Sequence, residues 1–212
     1  MPNDTIEQQA CTPEPLNPDG FNPDAYIPYG CEVEHIRQAM DEFIGFLGFV
    51  NGQLYTKEIP RLEAFLMPAN FSSMVGEFMT ATIPKYCNGL AKNQYHNGHP
   101  DMLPKGMYPG DAQQYVSEGI EVKGSRHVSG WQGHNPEEVY LMVFVFDSNT
   151  ARDANQGIDP KSFRFVKVLA ATLTKDDWKF SGRSATSRRT ITASVTRSGY
   201  EKMEANWIYR AT

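Results

Sequence analysis

The sequence has few cysteines and no long hydrophobic run. Cys11, Cys31 and Cys87 are odd in number and widely spaced, with no C-x-x-C pair. This spacing indicates neither a disulfide framework nor a zinc site, so we predict three reduced thiols. The longest apolar stretch, residues 139–146, is far too short to cross a bilayer, and no positively charged leader precedes an apolar run. We therefore expect a cytoplasmic protein with no membrane partner.

Internal repeats are also lacking, and the composition is strongly biased only at the start. Residues 1–30 hold six prolines among Asn, Asp and Gly, which predicts an irregular arm or tail. The chain has 212 residues, of which 40% are hydrophobic and 21% are charged, and this suits a domain with a sizeable core. The predicted organisation is an arm over 1–30 and a single domain over 31–212.

Basic residues are scarce until the last quarter of the chain. The net charge is −7 over residues 1–100, −5 over 101–159 and +7 over 160–212. Chance unevenness on solvated faces is one interpretation, and a surface for a polyanion is the other. Within the basic part, 160–212, three arginines are spaced by small hydroxyl residues that can also bind phosphate oxygens. These candidate DNA contacts are Arg183, Arg188 and Arg189.

Apolar periodicity predicts a helical part over 31–85. Spacings of three and four predict an amphipathic helix over 33–50 and a second helix over about 70–83. Residues 139–147, VYLMVFVFD, are instead apolar on both faces. This pattern is typical of a central strand covered by helices, so an α/β fold is favoured.

A change to two-residue periodicity predicts a β-hairpin before that central strand. Its strands cover 111–116 and 119–125, and a tight turn joins them. The hairpin and the central strand together form the predicted catalytic part, 109–147.

An acid and a lysine share one face of the second hairpin strand. Glu121 and Lys123 project together because side chains alternate along a strand. If the hairpin closes tightly, Asp111 lies opposite Glu121, and two carboxylates converge with a lysine. Carboxylate oxygens are ligands that Mg²⁺ prefers, and this ion can polarise a phosphodiester. The alternative is a surface cross-strand pair worth less than about 1 kcal/mol.

The acid-x-Lys tripeptide alone has little specificity, because it occurs three times. The other two copies begin at Asp159 and Asp177. Pro160 excludes the first from a central strand, and the second lies in a polar turn. Only the copy at Glu121 lies on an apolar strand.

Residues 109–146 resemble the catalytic segment of the PD-(D/E)xK nuclease superfamily, and within it the type II restriction endonucleases. The resemblance rests on an Asp-Ala opening, the nine residues between Asp111 and Glu121, the apolar Val122, and a His-Asn-Pro before the central strand. It implies a restriction-endonuclease-like fold, in which helices flank a mixed central sheet. It also implies sequence-specific hydrolysis of double-stranded DNA, with Mg²⁺ as the cofactor and Mn²⁺ as a possible substitute for it.

The resemblance also implies roles for individual residues. Asp111 and Glu121 would bind the metal with the main-chain carbonyl of Val122, and Lys123 would serve the attacking water. His134 and Asn135, in the loop 129–137, would approach base edges in the major groove. The same loop presents Gln132, and loops held by rigid strands commonly carry contacts. A buried Trp131 with an ordinary loop histidine is the alternative.

Two residues, Asp101 and Asp111, are candidates for the first catalytic acid. A proline stands directly before Asp101, as in the family's signature, whereas Gly110 separates Asp111 from the preceding proline. Nineteen residues lie between Asp101 and Glu121, a spacing that the superfamily also accepts. The predicted hairpin favours Asp111. Glu77, on the second helix, is either a further metal ligand or a solvated acid.

Palindromic DNA sites require two-fold protein symmetry, so the resemblance also implies a homodimer, with the helix 33–50 as the candidate interface.

Two other functions stay open. One is a nuclease of the same superfamily that acts in phage recombination or DNA repair. The other is a non-catalytic DNA-binding module in which Glu121 and Lys123 form only a structural pair.

Overall fold

The computed structural model describes residues 2–133, 137–180 and 193–211. The helices are α1 (Pro2–Ala10), α2 (Val33–Tyr55), α3 (Leu62–Phe65), α4 (Pro68–Tyr86) and α5 (Arg197–Ala205). The strands are β1 (Leu90–Lys92), β2 (Met102–Pro104), β3 (Ile120–Ser125), β4 (Gln132–Gly133), β5 (Val139–Asp147), β6 (Arg164–Leu173), β7 (Trp178–Phe180), β8 (Ala193–Val195) and β9 (Trp207–Arg210).

A six-stranded mixed sheet forms the centre of the fold. Its strand order is β1-β2-β3-β5-β6-β9, and a second sheet has the order β4-β8-β7. Only the β3–β5 pair is parallel, and the other pairs of the central sheet are antiparallel. The chain is therefore a mixed α/β fold in which helices flank a mostly antiparallel central sheet.

The β5 strand is buried on both faces, which confirms the predicted central strand. Tyr140, Met142, Phe144 and Phe146 belong to the core that includes residues of α2 and α4. The alternate positions Leu141, Val143 and Val145 instead belong to a second core. Residues of the small sheet and of α5 complete this second core, including Trp178, Val195 and Met203. A strand between two covered faces must be apolar at every position, which explains the continuous run.

Both helices predicted from the apolar spacing are confirmed, and both are longer than predicted. The buried positions of α2 are Ile36, Ala39, Met40, Phe43, Leu47 and Asn51. This apolar face of α2 packs into the core of its own chain. It is therefore not available as the dimer interface that was predicted for this helix. Phe49, which lies on the other side of α2, is 68% exposed.

The prediction of an arm without regular structure over 1–30 is wrong. The segment begins with α1, and its later residues contact the C-terminal end of the chain. Phe21 packs on Tyr209 of β9 with the ring centroids 4.7 Å apart, and the Asn17 amide donates to the Ala211 carbonyl oxygen. The prolines exclude extended pairing over most of the segment, but they do not prevent it from packing on the edge of the sheet.

The predicted hairpin is also wrong, because its first strand does not form. β3 pairs with β2 on one side and with β5 on the other. Asp111 lies in a 3₁₀ turn with a φ of 50°. Residues near Tyr115 instead follow His99 in a parallel bridge. The alternating pattern that predicted the first strand is therefore that of a loop held against another loop.

Several of the basic side chains in 160–212 form ion pairs where the structure describes them. Lys167 and Arg210 pair with Glu204, and Lys202 pairs with Asp177. Arg183, Arg188 and Arg189 lie outside the described residues. Among the helices within 2–133, 137–180 and 193–211, none has the length and apolar character that a membrane span requires.

Candidate active site

Asp101 is held at the point where β2 and β3 separate. These strands pair only through Met102 and Ile120. Asp101 directly precedes Met102. Its Oδ2 accepts a hydrogen bond of 2.8 Å from the main-chain N–H of Val122. The carboxylate thereby replaces the next bond of the ladder, which brings it next to Glu121.

Asn93 fixes the loop that carries Asp101. Its main-chain N–H donates to the Asp101 carbonyl oxygen at 2.9 Å. Its side-chain amide donates to the carbonyl oxygens of Pro100 and Gln113 at 2.9 and 2.8 Å. A buried amide with this many partners orders both segments, so the position of Asp101 is built into the fold.

Glu121 lies between two cationic or potentially cationic groups. Lys123 Nζ is 3.0 Å from Oε1, and His99 Nδ1 is 3.1 Å from Oε2. The His99 ring also stacks on Tyr115, with ring centroids 5.1 Å apart. Glu121 and Lys123 project from the same face of β3, as the alternation of the strand predicts.

These groups open into a cleft of about 290 Å³ between β3 and α4. The side that α4 contributes includes Ser72, Gly76, Glu77 and Thr80. The helix comes this close because β3 carries a glycine where the two cross. A Cβ added at Gly124 would lie 2.4 Å from the Ser72 carbonyl oxygen.

The electrostatics separate the two carboxylates of the cleft. Burial, together with the charge of Glu121, raises the pKa of Asp101 to about 7. Burial alone would raise the pKa of Glu121 as well. The hydrogen bond from His99 and the charge of Lys123 outweigh burial and hold this pKa at about 2. Near neutral pH, Glu121 is therefore ionised while Asp101 is poised to gain or lose a proton.

Lys123 remains a cation in this environment. Burial acts to lower the pKa of Lys123, but the nearby carboxylates, Glu121 first and then Glu137 and Asp101, together outweigh burial and raise the pKa. A protonated ammonium can orient a water molecule or offset phosphate charge, but it cannot remove a proton. The arrangement therefore favours a lysine that orients the attacking water over one that deprotonates it.

Asp111 lies apart from this cleft, and its predicted position opposite Glu121 is not observed. Its Oδ1 accepts from the Gly106 N–H at 2.7 Å, and its carbonyl oxygen accepts from the Gln94 N–H. These contacts tie Asp111 to neighbouring loops. Of the two candidate first acids, the structure brings Asp101 to Glu121 and Lys123.

The other predicted ligands lie at the cleft. Glu77 lines it from α4, is 67% exposed and pairs with Lys92 at 2.9 Å. Val122 lines it as well. Its N–H faces Asp101, and because the N–H and C=O of a strand residue point to the same side, its carbonyl faces the same edge.

Of the predicted DNA contacts, only Gln132 lies within the described residues. It lines both the cleft and an adjoining groove of about 770 Å³ that Lys123 also borders. Trp131 is buried and donates to the His127 carbonyl oxygen at 2.8 Å, which agrees with the alternative interpretation of that residue. His134 and Asn135 lie outside the described residues.

Neither His99 nor Glu137 was predicted to be a site residue. The donor atoms of His99, Glu121 and Glu137 lie within 4.8 Å of one another, and Glu137 is buried. His99 could have been noticed because it stands two residues before Asp101, in His-Pro-Asp. Glu137 carries no such signal, because only the parallel pairing of β3 and β5 brings it near Glu121.

The cleft offers a donor set that fits Mg²⁺. Two carboxylates, Asp101 and Glu121, face it with the Val122 carbonyl, and all three are oxygen donors of the kind that this ion prefers. A buried aspartate whose pKa lies near 7 would gain from a cation beside it. Coordination through Glu121 would replace a bond to Lys123 or to His99.

Comparisons with known proteins add no relative. No family model matches the chain, and neither the curated proteins nor the solved structures give a match.

Proposed function

We propose that this chain is a Mg²⁺-dependent deoxyribonuclease of the PD-(D/E)xK type. The observation that carries the proposal is the meeting of Asp101, Glu121 and Lys123 in one cleft. Asp101 follows a proline, and the other two residues form Glu-Val-Lys on a strand next to the central one. In this proposal the residues that match the PD-(D/E)xK signature are Pro100-Asp101 and Glu121-Val122-Lys123. The first acid is therefore Asp101 and not Asp111, which the predicted hairpin favoured.

The residues of the cleft divide the chemistry among them. Asp101, Glu121 and the Val122 carbonyl would hold the ion, which would supply positive charge to the scissile phosphate and acidify water. Lys123, kept protonated by Glu121, orients the attacking water and offsets the phosphate charge. His99 holds Glu121 from the opposite side and fixes the direction of its carboxylate.

Double-stranded DNA is the proposed substrate, cut at specific sites as in type II restriction enzymes. The groove beside the cleft supports a polyanionic substrate, because the described residues that line it include Lys123, Arg126 and His127 but no carboxylate. A homodimer acting in the cytoplasm belongs to the same proposal. Gln132, at the junction of cleft and groove, is the described residue best placed to contact the DNA.

Isosteric variants of the two candidate acids test the proposal. A mapped plasmid is incubated with the protein in Mg²⁺ or in EDTA. We expect discrete fragments in Mg²⁺ alone, their loss in Asp101→Asn and Lys123→Ala, and their retention in Asp111→Asn. Removing one essential group typically lowers such a rate by about 10²-fold or more. No cleavage by the wild type in Mg²⁺ or Mn²⁺, or normal cleavage by Asp101→Asn, would refute it.

The same experiment separates the alternative functions. Cleavage without sequence preference, or only from DNA ends, would favour a recombination or repair nuclease. The direct contacts of Glu121 with both Lys123 and His99 favour the non-catalytic alternative, because they satisfy this carboxylate without a metal. DNA binding without cleavage over a range of sequences would support that module instead.

A further inference from the structure

Two cysteines and a histidine that are distant in sequence meet at one end of the helical layer. Cys31 precedes α2, His35 lies in the first turn of α2, and Cys87 ends α4. The two sulfur atoms and a ring nitrogen of His35 all lie within 4.8 Å of one another. Donor atoms around a tetrahedral zinc ion are about 3.3 to 3.8 Å apart, so small side-chain movements would bring all three to one ion.

The surroundings of the cluster suit a metal with sulfur ligands. Cys31 and Cys87 are only 4% and 0% exposed. Two thiolates and a divalent cation form a group without net charge, which a buried corner accepts far better than it accepts separate charges. The two thiols would lose their protons to solvent on binding. Thiolate and imidazole donors select Zn²⁺ and related ions over Mg²⁺.

The third ligand is already held in place. His35 Nδ1 accepts a hydrogen bond of 3.0 Å from the N–H of Glu32, the residue that follows Cys31. This nitrogen therefore carries the ring's lone pair and points toward the start of α2. Coordination would exchange that hydrogen bond for a bond to the metal, and it would leave the fourth position to a water molecule.

A surface cavity borders the cluster on the side of Cys31. Cys31 lines a surface cavity of about 470 Å³, and the exposed residues Glu32 and Glu34 lie along the same cavity. Carboxylates at an entrance raise the local concentration of cations.

We propose that Cys31, His35 and Cys87 bind one zinc-class ion that fastens the start of α2 to the end of α4. The site is separate from the magnesium cleft, and it does not depend on the nuclease proposal. Cys11 supplies a control, because it is also buried but does not belong to the cluster, and its sulfur donates to the Glu7 carbonyl oxygen at 3.3 Å.

Cobalt titration of the reduced, metal-free, untagged full chain tests this site. Thiolate-to-cobalt charge transfer absorbs in the near ultraviolet, so an ion in the oxygen-lined cleft gives no such band. We expect the band to saturate at one Co²⁺ per chain and to disappear when Zn²⁺ is added. Cys11→Ser should keep it, whereas Cys31→Ser and Cys87→Ser should weaken binding by at least about tenfold.

Thermal unfolding provides a second measurement. Zinc at about 100 times its dissociation constant should raise the Tm of the wild type and of Cys11→Ser by roughly 5 °C or more. The absence of a thiolate band in the folded wild type would overturn the proposal, even if the cysteine variants do not fold. A Cys31–Cys87 disulfide in the purified protein, seen as a mass loss of two hydrogens, would overturn it as well.

Discussion

Asp101 combines burial with a neighbouring negative charge, and both oppose its ionisation. The folded chain raises the pKa of this carboxyl from 3.8 to about 7. Well below pH 3.8 the group is protonated in both the folded and the unfolded states, so it has no effect on stability. As the pH rises from 4 to 7, the unfolded chain loses this proton more readily, and the folded state is destabilised.

The variant Asp101→Asn should therefore stabilise the metal-free protein in a pH-dependent way. We expect a smaller stabilisation at pH 4.5 than at pH 8, where the unfolding free energy should increase by about 1 to 3 kcal/mol. Asp111→Asn, the same change outside the cleft, is the control. Thermal melts in EDTA at both pH values measure the effect. An equal shift at pH 4.5 and 8 would mean that charge burial is not its cause.

Which carboxylate enters the cleft could be predicted from the sequence only as a choice between two. The proline before Asp101 pointed to the acid that lies beside Glu121, while the assumed hairpin pointed to Asp111. His99 and Glu137 come near Glu121 through a loop and through the β3–β5 pairing. Contacts of this kind depend on tertiary structure. Only the place of His99 two residues before Asp101 hints at one of them, and no local pattern marks Glu137.

At the scale of elements, long periodic segments were predictable and short ones were not. The helices α2 and α4 and the strand β5 each bury a pattern that repeats over many residues. Strands β1 and β2 have three residues each, too few for a period to be seen. Because β2 was missed, β3 was assigned the wrong antiparallel partner.

Two glycines, Gly124 and Gly76, lie where α4 and β3 cross, and we expect their replacement by alanine to have different effects on stability. A Cβ at Gly124 would lie 2.4 Å from the Ser72 carbonyl oxygen, so alanine there must displace α4. A Cβ at Gly76 would make only ordinary contacts, the nearest at 3.5 Å from the Gly124 nitrogen. We expect Gly124→Ala to destabilise the fold by about 1 to 3 kcal/mol.

The control, Gly76→Ala, lies in the same crossing and should be neutral or stabilising by up to about 1 kcal/mol, because alanine favours a helix more than glycine does. Urea unfolding of both variants measures the difference. If both variants lose stability equally, the close approach at Gly124 does not decide how α4 is placed.

At the scale of the whole molecule, the homodimer in the proposed function cannot use the face of α2 that the sequence first suggested. That face is buried against α4 and the sheet, and Phe163 and Phe165 pack on Phe43 at 5.3 and 5.6 Å. A dimer through α2 would have to bury its outer side instead, where Phe49 is 68% exposed.

Charge placed at the outer side of α2 tests this arrangement. We expect light scattering to give the mass of two chains for the wild type, and Phe49→Glu to shift the protein toward one chain without lowering its Tm. Tyr26→Glu is a control, because Tyr26 has a similar exposure of 67% but lies in the N-terminal segment. A wild-type mass of one chain would remove the dimer while leaving the cleft chemistry intact, since Asp101, Glu121 and Lys123 all come from one chain.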